Sequence, residues 1–285
     1  MFGLLILSTT TASLDLNPVL LAGAVLIVLG LACDALIIAR FLPAPRFLVD
    51  DKPWGMRQLG YSIAAFAGLF LFSNAFYTAL AIRRQVDIAA LTPLIIPIEF
   101  ILRLALLAGF DTYFRRRQIS LRPALGFDKI PARKAVAWGA AFALAIFPPV
   151  GVIIFLTNAV YRLFRLEPSQ QPIVEFILNT DSQPLLILLV LFAIVLAPIF
   201  EEFLFRGFAY PALKQRLGTL PALLLVSLAF ALTHFHAPAF LPLFVLAIGL
   251  TFAYELTGSL LAPITMHAVF NSVMLAQIFH QRAHP

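Results

Sequence analysis

The chain has 285 residues, of which 61% are hydrophobic and 12% are charged, and its formal net charge is +6. A single water-soluble core cannot bury so large an apolar surface, which excludes a soluble globular domain as the whole molecule. The positive charge lies mainly between the apolar runs and favours contact with anionic lipid headgroups over nucleic-acid binding, because no nucleic-acid recognition motif accompanies it.

The apolar runs along the chain approach or reach about 20 residues, the length that an α-helix needs to cross the hydrocarbon layer of a membrane. Strands of a membrane barrel would instead give alternating segments of roughly 10 residues. The sequence therefore predicts an all-α fold, a polytopic bundle of about eight transmembrane helices. The predicted spans are 18–41, 59–82, 88–111, 136–161, 184–208, 220–236, 239–257 and 260–279.

The first 13 residues, MFGLLILSTTTAS, are too short to span a membrane and lack the basic segment of a secretory signal. We expect them to form an interfacial lead-in, with a cleaved signal as the alternative. If the N-terminus lies outside the cytoplasm, the inner loops hold thirteen Lys and Arg residues and the outer loops five, which favours that orientation. Because the sequence has no N-glycosylation sequon, we expect a bacterial plasma membrane rather than an endoplasmic one.

Ionisable residues within the predicted spans concentrate in the second half of the chain. The first four spans hold Asp34 and the pair Glu99 and Arg103, which are four residues apart and can neutralise each other on a helix. The last four spans hold Glu201, Glu202, Arg206, His234, His236, Glu255 and His267. Because polar groups in a membrane need partners or a cavity, we expect a catalytic core in residues 136–285 and supporting helices with basic loops in residues 1–135.

The stretch EEFLFR, residues 201–206, places three charged side chains in an apolar span. On a helix, Glu202 and Arg206 are four residues apart, so they share a face and can neutralise each other. Glu201 points about 100° away from Glu202 and has no evident partner on its own helix. We therefore expect Glu201 to meet a partner on another helix.

Two later spans offer such partners in the stretches FALTH and HAVFN. Phe230 and His234 share one helix face at a spacing of four residues, and His267 and Asn271 do the same. At about 1.5 Å of rise per residue, two antiparallel helices place Glu201 and His234 at similar depth. On straight helices His267 is offset from His234 by about 10 Å, and tilting or bending near the prolines of these spans would have to close that gap.

These residue types can hydrolyse an amide if they converge. A glutamate removed from water can take a proton from a water molecule, with a histidine helping to orient that water. A histidine and an asparagine can donate hydrogen bonds to the oxygen of a tetrahedral intermediate. A zinc site with Glu201, His234 and His267 as ligands is the alternative. Asn271 is a poor zinc ligand and no H-E-x-x-H spacing is present, so we favour a site without metal or other cofactor.

The same three stretches carry a family resemblance. EEFLFR resembles the E-E-x-x-x-R motif of the CPBP family of intramembrane proteases, FALTH its F-x-x-x-H motif and HAVFN its H-x-x-x-N motif. That family, also called Abi, includes CAAX proteases, bacteriocin-processing enzymes and the type II CAAX prenyl endopeptidases. The motifs occur in the family's order over residues 200–271, about a quarter of the chain.

The resemblance implies a role for each matching residue. Glu201 would be the general base that acts on the attacking water, with His234 assisting, and His267 and Asn271 would form the oxyanion site. The supporting motif residues would be Glu202, Arg206 and Phe230, of which the glutamate and the arginine would brace the helix. The implied activity is that of a glutamic intramembrane endopeptidase.

The expected function is therefore hydrolysis of a peptide bond in a membrane-associated or prenylated protein or peptide. The expected partners are this peptide or lipidated substrate and membrane lipids, with no nucleic acid. Two alternatives stay open: a proton-coupled membrane transporter, since buried carboxylates and histidines also build proton relays, and a non-catalytic bacteriocin-immunity protein of the same fold. The sequence lacks the repeated halves of many transporters, and a scaffold does not need the complete motif set.

Overall fold

The protein is described by a computed structural model that covers residues 18–41, 43, 47–86, 91–167 and 171–284. These residues form helices joined by turns and irregular segments, with no β-strand among them. The helices are α1 Pro18–Phe41, α2 Met56–Arg84, α3 Thr92–Arg115, α4 Leu121–Ala124, α5 Ala132–Leu163, α6 Pro172–Asn179, α7 Gln183–Leu217, α8 Thr219–Leu232, α9 Ala237–Thr257 and α10 Leu261–Ala283. The all-α prediction is confirmed.

Seven of the described helices are long and apolar enough to cross a membrane, namely α1, α2, α3, α5, α7, α9 and α10. The predicted span at 220–236 corresponds to α8, which has 14 residues. At about 1.5 Å per residue, α8 is shorter than a hydrocarbon layer of about 30 Å. The protein is thus an integral multi-pass membrane protein, as the sequence predicted. The predicted lead-in at 1–13 and the start of the third span at 88–90 lie outside the described residues.

Helix α5 packs against α1, α9 and α10. Its contact with α10 is close because a Cβ atom added to Gly139 would lie 2.5 Å from the carbonyl oxygen of Ala262. Small residues allow such close approach between membrane helices. Further along the same interface, the rings of Phe147 and Phe270 stack with centroids 5.2 Å apart. This packing fixes the position of α10, which carries the HAVFN stretch.

The segment formed by residues 47–55, before α2, folds over the end of the bundle where α7 ends. Trp54 of this segment is buried and stacks on Phe208 of α7 with ring centroids 4.8 Å apart. Its indole also packs against Phe114 near the end of α3, with centroids 5.3 Å apart. The aromatic cluster therefore joins the segment, α3 and the second half of α7.

The same end of the bundle contains a buried carboxylate, Glu255 of α9, whose side chain is 0% exposed. Its side-chain oxygens accept hydrogen bonds from the Tyr210 hydroxyl at 2.5 Å, the Lys214 ammonium at 2.5 Å and the Val49 amide at 3.2 Å. On the exposed surface of this segment, a hydrogen bond from the Lys129 ammonium holds the pKa of the Asp50 carboxyl below its usual range. The three hydrogen bonds to Glu255 hold the segment, α7 and α9 together.

Gly126, which follows α4, lies against the backbone at the end of α9. Its φ angle is +77°, and a Cβ atom added there would lie 1.8 Å from the carbonyl oxygen of Gly258. Gly126→Ala is therefore expected to lower the thermal unfolding midpoint of the purified protein in detergent, since it adds a steric clash to a left-handed conformation.

Gly218 provides the matched control for this substitution. Its φ angle is +82°, but among the described residues no atom beyond its chain neighbours lies within 4 Å of an added Cβ. Gly218→Ala is expected to cost only a conformational penalty of about 1–3 kcal/mol, because this φ angle together with a ψ angle of 175° is a region that glycine alone adopts readily. Equal shifts of the unfolding midpoint for the two variants would contradict the close approach at Gly126.

Candidate active site

Helix α7 changes its winding twice around the two adjacent glutamates. It is π-helical over Phe192–Leu196 and over Phe203–Ala209, and the six-residue α-helical segment between them is Ala197–Glu202. π-Helical turns are rare and occur often at functional sites. Glu201 and Glu202 therefore lie where the local helix geometry changes.

Glu202 and Arg206 form the ion pair that their four-residue spacing predicts. Glu202 Oε1 lies 3.1 Å from Arg206 Nη1, and both side chains are 0% exposed. Arg206 also donates from Nη2 to the carbonyl oxygen of Ala247 at 2.8 Å and from Nε to the Thr251 hydroxyl at 3.4 Å, both on α9. Its guanidinium lies 4.7 Å from the ring centroid of Phe230 on α8. The buried pair thus holds α7 against α8 and α9.

His267 of α10 lies between the two glutamates. Its Nδ1 is 2.8 Å from Glu202 Oε1, and its Nε2 is 3.9 Å from Glu201 Oε2. A carboxylate paired with an arginine can only accept hydrogen bonds. Nδ1 of His267 therefore carries the ring proton and donates a hydrogen bond to Glu202 Oε1. This bond fixes the ring so that Nε2 faces Glu201, which gives Glu201 its contact on another helix.

His234 joins the cluster through Phe230. The Nδ1 atom of His234 lies 2.9 Å from the carbonyl oxygen of Phe230, so it donates to that carbonyl and leaves Nε2 as an acceptor. The buried Phe230 ring contacts His234 at 4.9 Å and His267 at 5.9 Å between ring centroids. One aromatic ring therefore lies against both histidines. The similar depth of Glu201 and His234 stays a prediction.

Asn271 contacts α7 at the first π-helical segment. Its Nδ2 donates to the carbonyl oxygen of Ala193 at 2.8 Å. A π-helical turn leaves a backbone carbonyl without its usual helical partner, and this side chain satisfies one. The asparagine amide has a second N–H group and a carbonyl oxygen, so the bond to Ala193 uses part of its hydrogen-bonding capacity.

Two buried carboxylate oxygens of the site have no hydrogen-bond partner among the described residues. They are Oε2 of Glu201 and Oε2 of Glu202. Leaving a buried acceptor unsatisfied costs about 1–3 kcal/mol, so such atoms in a native site call for a polar ligand. The Glu201 side chain is 27% exposed, which leaves it within reach of such a ligand.

The three alternative zinc ligands are Glu201, His234 and His267. Within the described part of the chain, no three His, Cys, Asp or Glu side chains are grouped so that they could hold a metal ion. Glu201 and His267 approach each other, whereas His234 reaches the cluster through the Phe230 ring.

The sequence did not predict three hydrogen-bonding partners of the site. Thr251 is a polar residue in an apolar run, a weak signal because such hydroxyls often bond only to their own helix, and it also bonds to the carbonyl of Ala247. The carbonyl oxygens of Ala193 and Ala247 have no signal in the sequence, because every residue carries a carbonyl group.

The fold and the site define a polytopic helical membrane protein with a partly buried cluster of two carboxylates, an arginine and two histidines, which come from α7, α10 and the turn after α8. Residues 183–273, from the start of α7 into α10, match the family model described as "Type II CAAX prenyl endopeptidase Rce1-like". The match contains all the motif residues and confirms the family resemblance. It supports a CAAX-type intramembrane endopeptidase and therefore a hydrolase. Searches of curated proteins and of solved structures find no match to the chain.

Proposed function

We propose that this protein is an intramembrane endopeptidase in which Glu201 activates a water molecule for attack on a peptide bond. The observation that carries the proposal is the position of His267, with Nδ1 at 2.8 Å from Glu202 and Nε2 at 3.9 Å from Glu201. A purely structural ion network would satisfy both carboxylates, yet each keeps one buried oxygen without a partner among the described residues. The proposed location is a bacterial plasma membrane.

In the proposed reaction Glu201 takes a proton from the water while the water oxygen bonds to the carbonyl carbon of the substrate. His234 orients this water, since its Nε2 is left as an acceptor by the bond from Nδ1 to the Phe230 carbonyl. The tetrahedral intermediate then collapses, the C–N bond breaks, and protonated Glu201 gives its proton to the leaving amine. Glu201 thus ends the cycle in its starting protonation state.

The proposed oxyanion site consists of His267 and Asn271. This role requires a second proton on His267, carried by Nε2, which then donates a hydrogen bond to the oxyanion while Nδ1 stays bonded to Glu202. The second N–H group of Asn271 provides the other donor, because the first is bonded to the carbonyl of Ala193. In this scheme Glu202 and Arg206 are positioning residues, since they act by holding His267 and α7.

The proposed substrate is a prenylated or otherwise membrane-associated peptide. The description of the matching family model names a prenyl endopeptidase. Prenyl groups are carried by the cysteine of a C-terminal C-a-a-X sequence, so cleavage next to that cysteine releases a three-residue peptide. A site on membrane-spanning helices suits a substrate whose lipid already holds it in the bilayer.

The test is cleavage by the purified full chain in detergent of a farnesylated peptide that ends in a C-a-a-X sequence. Mass spectrometry is expected to show release of the last three residues, and slower release from the same peptide without the lipid. If neither peptide is cut, the proposed function is wrong.

A second measurement concerns the metal. Because the proposed mechanism uses no metal ion, the cleavage rate is expected to stay unchanged after treatment with EDTA or 1,10-phenanthroline followed by removal of the chelator. A loss of rate that added zinc restores would contradict the metal-free mechanism. Treatment with a chelator that has been presaturated with zinc serves as the control.

A further inference from the structure

Helices α2 and α3 contain a second charged cluster, outside the motif residues. Arg103 of α3 forms an ion pair with Glu99 through Nη1, which also donates to the Glu99 carbonyl oxygen at 3.3 Å. The Tyr77 hydroxyl of α2 donates to the other oxygen of the Glu99 carboxylate at 3.3 Å. Glu99 is therefore held from two helices, and it holds one side of the arginine.

The other side of the Arg103 guanidinium is available for a ligand. Both of its hydrogen bonds use Nη1, and within the described residues Nη2 and Nε donate none. The side chain is 25% exposed. An ionised group within a membrane span normally faces a cavity or a partner, and a guanidinium has five N–H donors in a planar fork. The cluster therefore has unused donors in an environment where unused donors are costly.

Arg103 lies beside the segment of α7 that carries Glu201. Its guanidinium carbon is 5.0 Å from the ring centroid of Phe192 and 5.8 Å from that of Phe200. Phe200 is buried and directly precedes Glu201 in the chain. One phenylalanine side chain therefore lies between the guanidinium and the backbone next to Glu201.

The depth of Arg103 limits which anion it can meet. It lies about midway along the 24-residue helix α3, far from the ends where lipid phosphates lie. An anion at this depth must be carried in by another molecule. The planar donor fork matches a carboxylate, with which arginine forms charge-assisted hydrogen bonds.

We infer that Arg103 binds the C-terminal carboxylate of the peptide substrate. This inference rests on the proposed function, because a C-a-a-X peptide has its carboxylate three residues beyond the bond that is cut. Three extended residues span about 10 Å, and Arg103 packs against Phe200, the residue that precedes Glu201, so the cut bond and the carboxylate would lie beside the same part of α7. Arg103 is then a specificity residue, and Glu99 and Tyr77 hold it in position.

The test is equilibrium binding of one farnesylated C-a-a-X peptide, made with a C-terminal carboxylate or with a carboxamide, to the full chain with Glu201→Gln. This background keeps the peptide intact during the measurement. The carboxylate peptide is expected to bind about tenfold more tightly than the carboxamide, the effect of a charge-assisted hydrogen bond. Adding Arg103→Gln is expected to abolish this preference, with carboxamide binding unchanged.

Arg115→Gln on the same helix is the matched control. Arg115 pairs with Asp111 at 2.6 Å, but both side chains are largely exposed, and this variant is expected to keep the tenfold preference. Equal binding of the two peptides with Arg103 intact would overturn the inference, and this comparison does not depend on how well Arg103→Gln folds. A preference that persists in a folded Arg103→Gln variant would also overturn it.

These outcomes are separate from those for the proposed function. Absence of hydrolysis by the wild-type chain counts against the endopeptidase, whatever the two peptides do in the binding measurement. A carboxylate preference that depends on Arg103 supports the inference even in that case. Hydrolysis by the wild type together with equal binding of both peptides supports the endopeptidase and rejects the role of Arg103.

Discussion

Glu201→Gln is expected to reduce kcat for cleavage of the farnesylated peptide by a factor of roughly 10³ or more, because general-base catalysis contributes about that much. Glutamine has nearly the volume of glutamate but cannot take a proton from water. The substrate Kd is therefore expected to change little. The measurement is a single-turnover rate, with product identified by mass spectrometry, together with the Kd of the same peptide.

Glu175→Gln is the matched control for this substitution. It removes one negative charge from a glutamate that lies exposed on α6, away from the cluster, and is expected to keep the wild-type rate. If Glu201→Gln turned over the peptide as fast as Glu175→Gln, Glu201 would not be the general base.

The same pair of variants separates the endopeptidase from the two alternative functions. A proton-coupled transporter would give uptake into proteoliposomes that depends on a pH gradient, with no peptide product. A non-catalytic immunity protein would protect cells equally well with Glu201→Gln. Loss of both hydrolysis and the cellular phenotype in that variant is expected for an endopeptidase.

The transmembrane helices could be predicted because their apolar length is a property of the chain itself. The end of α7 could not be predicted from hydropathy. Hydropathy predicted a span at 184–208, whereas the helix continues to Leu217. Its last turns contain Tyr210 and Lys214, polar side chains whose hydrogen bonds to Glu255 come from tertiary packing. A hydropathy pattern does not register a helix that leaves the membrane and is stabilised by such contacts.

Helix α8, in contrast, ends before the predicted end of its span. The apolar pattern predicted a span over 220–236, but the helix ends at Leu232. Phe235 then takes a positive φ angle of 46°, and α9 begins with proline as its second residue, at Pro238. Residues 233–236 of the turn include no glycine, proline, lysine, arginine, aspartate or glutamate, so the sequence gives no clear signal for the end of the helix. His234 lies in the turn rather than on the helix.

The candidate site was only partly predictable for a related reason. Spacing on one helix predicted the contact of Glu202 with Arg206, because residues four apart are neighbours on a helix surface. It could not predict that the same oxygen of Glu202 also binds His267, 65 residues later in the chain. The π-helical turns of α7 also break the regular angular spacing from which side-chain directions are read.

The ion pair of Glu202 and Arg206 is expected to have the largest effect on stability. Arg206→Met is expected to lower the free energy of unfolding by about 3–5 kcal/mol, because it leaves a buried carboxylate without its cation. Arg115→Met on α3 removes an arginine from an exposed pair and is expected to cost about 1 kcal/mol or less. The measurement is unfolding of the purified variants in mixed micelles, followed by circular dichroism.

The double variant Arg206→Met with Glu202→Gln separates the cost of an unpaired charge from the loss of packing. Each single substitution leaves one buried charge without its partner, whereas the double variant leaves none, so its cost is expected to be smaller than the sum of the two single costs by about 1–3 kcal/mol. Additive costs would mean that the two side chains do not depend on each other. Because Glu202 also accepts the hydrogen bond from His267, the double variant is expected to regain stability without regaining hydrolysis. This result would show that Glu202 has two separate roles. Its charge balances Arg206 and so affects stability, while its oxygen Oε1 orients His267 beside Glu201 and so affects catalysis.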